Sequence, residues 1–141
     1  KTKDYDHLEQ GWREGTWKIM LHDGDWRKAE VPEHAALFNN PVITIDEANH
    51  EGHMPTEDAL FHVDAASTHV TVLKHAEDDD SLILRMYEYA GCEDEVAISL
   101  PPLGKTYTVK LGKYEIKSVK LEKEQVYRLV ETDLLEREGQ G

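Results

Sequence analysis

The chain has 141 residues, of which 39% are hydrophobic and 32% charged, enough apolar material for one domain's core beneath a heavily solvated surface. Its 29 Asp and Glu against 16 Lys and Arg give a formal net charge of −13, which repels phosphate backbones and anionic lipid and argues against nucleic-acid and membrane binding. No run approaches the roughly 18 apolar residues a membrane span needs, and the single cysteine, Cys92, rules out an internal disulfide framework and suits a reducing, cytoplasmic setting.

In chain order, residues 1–14 are polar and broken by Gly11, which predicts an arm. Thr16-Trp17-Lys18-Ile19-Met20-Leu21-His22 then alternates, with Trp17, Ile19 and Leu21 on one face, and predicts a strand. Asp23-Gly24-Asp25 ends it, because an Asp-Gly pair tolerates positive φ. Glu33-His34-Ala35-Ala36-Leu37-Phe38 is rich in helix formers, with Pro32 acceptable in a first turn. Asn39-Asn40-Pro41 stops that short helix, since a residue before proline is pushed out of the α region. Residues 42–66 hold no period beyond Val42-Ile43-Thr44-Ile45 and predict a long irregular connection wrapping the surface, a candidate for docking against a partner.

From Ser67 onward the pattern is all-β. Strand-like runs at 68–76, 82–89, 96–100, 106–111, 114–121 and 126–134 alternate with acidic, glycine- or proline-bearing turns. Together with the earlier segments they predict an antiparallel β-sandwich, a single domain over 1–141 with one short helix and a long irregular connection. Residues 80–91 are the hub: Leu82, Leu84 and Met86 share one face, Ile83, Tyr87 and Tyr89 the other, as in the middle of a sheet. Arg85 inside such a run needs a carboxylate, a carbonyl or water, because stranding a guanidinium there costs several kcal/mol, roughly the penalty for an unpaired buried charge. Glu88, three residues on, points to the opposite face, so the two need different partners. In residues 114–121 the apolar phase switches between Ile116 and Val119, which predicts a bulge or a change of sheet there.

Chemistry-bearing residues are plentiful but poorly spaced. His50-Glu51-Gly52-His53 puts two imidazoles near one another, yet lacks a third ligand and the spacing of a zinc helix, so a solvated loop is the favoured reading. Glu77 with Glu88, or Asp23 with Asp25, has the residue types of a glycosidase pair, but with 29 acids some will meet by chance. Asp78-Asp79-Asp80 reads as a hairpin tip without the ligand spacing of an EF-hand. Cys92 has no CxxC partner, and no nucleophile elbow or phosphate loop occurs. Trp12, Trp17 and Trp26 have the rings of a sugar platform, though core or interface use is commoner.

Several blocks are familiar. Leu21-His22-Asp23-Gly24-Asp25-Trp26-Arg27, followed by Ala36-Leu37-Phe38-Asn39-Asn40-Pro41, resembles the "PH-x-GDWR … NNP" block late in α-mannosidases of glycoside hydrolase family 38. The run from Leu73 through Glu77-Asp78-Asp79-Asp80 to Leu82-Ile83-Leu84-Arg85-Met86-Tyr87-Glu88, with Gly91, resembles the same family's "LK-x-AED … LILRLYE … G". Tyr114-Glu115-Ile116-Lys117-Ser118 and Glu131-Thr132-Asp133-Leu134-Leu135-Glu136 extend the likeness.

The resemblance implies the carboxy-terminal β-sandwich region of a zinc-dependent retaining enzyme that releases mannose from α-linked glycans. It implies a non-catalytic accessory domain that packs on a catalytic domain, with a glycan or mannoside substrate as the further partner and zinc held in that absent domain. No catalytic residue, metal ligand or cofactor is assigned to this chain. The matching residues His22, Asp25, Trp26, Asn39, Asn40, Arg85 and Glu88 are expected to be structural or interfacial. The rival expectation is a free-standing carbohydrate-binding sandwich module with exposed tryptophans.

Overall fold

The computed structural model describes residues 11–53, 55–123 and 127–138. Residues 1–10 of the expected arm, and Val126 at the head of the last expected strand, lie outside the described residues. The chain divides into two compact units, residues 1–49 and 50–141.

The first unit is built around one helix, α1 (Val31–Asn39), with Pro32 in its first turn as its sequence predicts. Asp25 nucleates the turn before it, its Oδ1 accepting from the backbone N–H of Arg27 at 2.8 Å and of Lys28 at 3.1 Å. Asn40 closes the far end, its N–H donating to the Ala36 carbonyl at 2.9 Å.

The strand expected at 16–22 is not formed: the segment has no regular secondary structure and joins no ladder among the described residues. Lys18 and Met20 line a shallow hollow with Val31, His34, Ala35 and Phe38 of α1, whereas Trp17, Ile19 and Leu21 are 80%, 81% and 95% exposed. The alternation is real, but a strand also needs a second backbone to bond to.

The second unit is the sandwich. Strands β1 (His62–Asp64), β4 (Asp94–Leu100) and β5 (Lys105–Leu111) form a three-stranded sheet in the order β1-β4-β5. Strands β2 (Thr68–His75), β3 (Leu82–Glu88), β6 (Ile116–Glu122) and β7 (Arg128–Thr132) form a four-stranded one in the order β2-β3-β6-β7. Every pairing is antiparallel. The expected all-β sandwich with one short α-helix is therefore what the chain forms, and β3 is an inner strand of its sheet.

The two sheets meet through one apolar core. Leu84, Met86, Val119 and Leu121 come from the four-stranded sheet, and Val96, Ile98, Leu100, Val109 and Leu111 from the three-stranded one. Each side repeats the period of two that marks its strands in the sequence. Two bonds tie the layers at their margins: Tyr107 Oη donates to the Tyr127 carbonyl at 2.9 Å, and Lys117 Nζ to the Lys110 carbonyl at 2.7 Å.

Two expectations need correcting here. The register of β6 on β3 runs without interruption from Leu82 opposite Leu121 to Tyr87 opposite Ile116, so no bulge follows Ile116. Ile116 lies on the outer face at 62% exposure while Val119 and Leu121 fill the core, and this resolves the phase switch without a kink. The bulge lies instead in β2 between Val70 and Val72, where an extra residue lets Val70 and Leu73 both face the core side. Within the segment expected to be irregular throughout, residues 62–64 form β1, and Phe61 and Ala65 pack against the core.

Candidate functional site

Alternate residues of β3 leave it on opposite faces, so this one strand supplies both polar constellations of the sandwich. On the core side, at its end, Glu88 is 2% exposed. Its carboxylate accepts from the backbone N–H of Ala90 at 2.7 Å, of Gly91 at 2.8 Å and of Tyr114 at 2.9 Å. Gly91 permits this turn because its φ is +79°, and the Tyr114 ring lies where a side chain at 91 would project. Tyr114 itself has φ +55°, which brings its N–H onto the carboxylate.

Burial pushes Glu88 upward, but the Tyr114 N–H, the Ser67 hydroxyl and the Ala90 and Gly91 N–H groups together outweigh it and hold the carboxyl at about 2, against an ordinary 4.5.

A second carboxylate works beside the first. Asp94, opening β4, accepts from Ser67 N–H and Thr68 Oγ1, each at 2.8 Å, and from Ala66 N–H at 3.3 Å. Burial raises Asp94 as well, and the bonds from Ser67, Thr68, Ala66 and Glu95 again bring it below the usual range. Asp94 thereby joins the three-stranded sheet to the start of β2 in the other. Ser67 lies between the two carboxylates, and its hydroxyl and the Cys92 sulfur are 3.4 Å apart. Carboxylates so saturated with donors bind protons weakly, which suits them to holding turns and not to proton transfer near neutrality.

On the outer face, Arg85 Nε donates to Ser118 Oγ at 3.0 Å and Nη2 to the Leu134 carbonyl at 3.1 Å. Lys74 of β2 pairs with Glu136 at 2.7 Å and also with Glu77. Lys120 of β6 pairs with Asp79 at 2.7 Å. That bond, then those from Ser81, holds the Asp79 carboxyl at about 2.

The residues singled out in the sequence fall into three places. Asp25 and Trp26 share the turn before α1, where the Arg27 guanidinium lies 4.4 Å from the Trp26 ring centre. Asn39 and Asn40 lie at its other end, their side-chain amides donating to the Ala35 and Ala36 carbonyls at 2.9 and 3.0 Å. His22 is exposed on the 16–22 segment. Arg85 and Glu88 lie on β3 and are not brought together.

Glu77 precedes β3 and Glu88 is its last residue, so they lie at opposite ends of the strand and form no carboxylate pair. Among the described residues no group of three or more His, Cys, Asp or Glu gathers to hold an ion. Ser67, Asp94, Tyr114 and Glu136 carry much of the polar framework and were not singled out. Asp94 carries a legible signal as an acid between a glycine turn and an alternating run, while Tyr114 and Glu136 stand in the sequence only as members of the blocks that extend the family likeness.

Fold and polar framework define an antiparallel β-sandwich domain with Glu88 and Asp94 committed to backbone and hydroxyl donors. The sequence model of the family described as glycosyl hydrolases family 38 C-terminal beta sandwich domain matches residues 67–140, more than half of the chain and all of β2 to β7. The chain belongs to that family. Comparison with curated proteins and with solved structures finds no match.

Proposed function

We propose that this chain is the non-catalytic C-terminal accessory domain of a zinc-dependent retaining α-mannosidase acting on α-linked mannosides, and that it packs on and supports the catalytic domain. The observation that carries the reading is the family match over residues 67–140. The saturated carboxylates of Glu88 and Asp94 support a holding role. The exposed Trp17, Ile19 and Leu21 of the first unit supply apolar surface of the kind that interfaces bury. His22, Asp25, Trp26, Asn39 and Asn40 then serve to shape the turn and helix beside that surface.

The test is hydrolysis of a chromogenic α-mannoside by the isolated chain with and without added zinc, together with its binding to the catalytic portion of the parent enzyme. The expected result is no turnover and saturable binding to that portion. Turnover by the isolated chain overturns the reading. The second reading, a free-standing carbohydrate-binding module, is favoured by the full exposure of Trp12 and the 80% exposure of Trp17. Calorimetric titration with mannose and manno-oligosaccharides separates the two, since saturable sugar binding belongs only to the module.

A further inference from the structure

After β7 the chain does not leave the sheet. Residues 133–138 fold into a tight loop: Asp133 Oδ1 accepts from Leu135 N–H at 2.8 Å and Arg137 N–H at 2.9 Å, and Thr132 bridges to Glu138. Arg85 reaches the Leu134 carbonyl from β3. At the apex, Glu136 has φ +65°, a conformation that side chains other than glycine adopt only when other contacts hold them there. Those contacts come from its own carboxylate, with Oε1 on Lys74 Nζ at 2.7 Å and Oε2 accepting the Glu77 N–H at 2.9 Å.

We propose that residues 133–138 form a strap latched to the outer face of the four-stranded sheet through Glu136, and that acid opens this strap while the sandwich beneath stays folded. Glu136 is faced by Lys74 from β2, by Glu77 from the β2–β3 turn and by Arg85 from β3, with Asp133 and Arg137 flanking it on its own segment. The Lys74 bond, then the Glu77 N–H, lowers its carboxyl from the ordinary 4.5. The latch is therefore complete above pH 4.5 and fails as pH falls through the lowered value, when the protonated carboxyl no longer attracts Lys74. Glu88 is buried on the opposite side of the sheet, on backbone donors that belong to the turns at 90–91 and 114 and not to the strap, so the core's own clamp does not depend on the latch. Opening removes from Lys74 and Arg85 the acidic loop that they hold.

Hydrogen exchange read by NMR on the whole chain tests this through the amides of Glu77, Leu135 and Arg137, whose acceptors belong to the latch or the loop. In Glu136→Gln at neutral pH these amides should exchange at least tenfold faster than in the parent, with the amides of Leu84 and Ile98 unchanged. In the unsubstituted chain, lowering pH should shift the strap signals through a transition that ends before the core methyl signals lose dispersion. Lys74→Met, which leaves Glu136 intact, should loosen the same amides. Strap and core signals lost at one midpoint, or strap amides as protected in both variants as in the parent, overturn the proposal.

Discussion

Arg85 and Glu88 stand three residues apart on β3 and serve opposite sides of the sheet. The guanidinium holds the Leu134 carbonyl at 3.1 Å on the outer face, while the carboxylate holds the Tyr114 N–H at 2.9 Å on the core side. One inner strand thus anchors the loop after β7 and the turn before β6. The two side chains share no partner, so they can be tested separately.

Replacing Glu88 by Gln keeps the volume but turns an amide NH₂ towards donors and removes the charge. Hydrogen bonds to ionised groups contribute about 1.5–3 kcal/mol, so the variant should lose about 2 kcal/mol or more of stability. For a unit of this size that lowers the melting temperature by about 10 °C. Glu131→Gln, whose side chain is 64% exposed, is the control and should change stability by less than about 0.5 kcal/mol. Thermal melts of both variants decide it, and equal shifts would remove Glu88 from its place in the framework.

The acid limb of stability should carry the same signature. Glu88 is ordinarily at 4.5 and is held at about 2 in the folded chain, so its contribution is whole above pH 4.5 and is lost as pH falls towards 2. Urea unfolding at pH 6, 4 and 3 should show the parent losing stability over that interval, and Glu88→Gln losing less. Parallel slopes in the two proteins would show that other carboxylates govern the limb.

Gly91→Ala meets two obstacles, the φ of +79° and the Tyr114 ring, which an added Cβ would overlap. The substitution should cost more than about 1 kcal/mol. In a Tyr114→Ala background the overlap disappears and only the conformational cost remains, so the penalty should shrink. A double-mutant cycle by denaturant unfolding measures that coupling, and strict additivity would show the two residues to be independent.

Arg85→Met should lower stability by about 1–3 kcal/mol through the lost bonds to Ser118 and Leu134. Arg85→Lys keeps the charge but not the planar fork, and should recover little of the loss. If the lysine variant melts with the parent, charge alone sets the contribution of this position.

Strands β2 to β7 were legible because each turns one face to the core, and burial writes a period of two into the chain, whereas the three exposed residues of β1 carry no such mark. The alternation of Leu82, Leu84 and Met86, and of Val96, Ile98 and Leu100, marks β3 and β4 for that reason. The same parity requires Arg85 and Glu88 to diverge. Alternation is silent about backbone partners, and so residues 16–22 read as a strand although they join no ladder among the described residues. It misplaced the bulge as well, because an apolar Ile116 on the outer face mimics a change of phase.

By itself, then, the amino-acid order determined the all-β class, most strand positions and the family likeness, since these follow from local periodicity and short motifs. Only the tertiary structure decided that Asp94 meets Ser67 and Thr68, that Tyr114 meets Glu88 and Gly91, and that Glu136 meets Lys74. Those meetings join residues distant along the chain. A lone Asp, Tyr or Glu in a turn looks the same whether it is solvated or buried against another loop, until the sheets have stacked and excluded water from it.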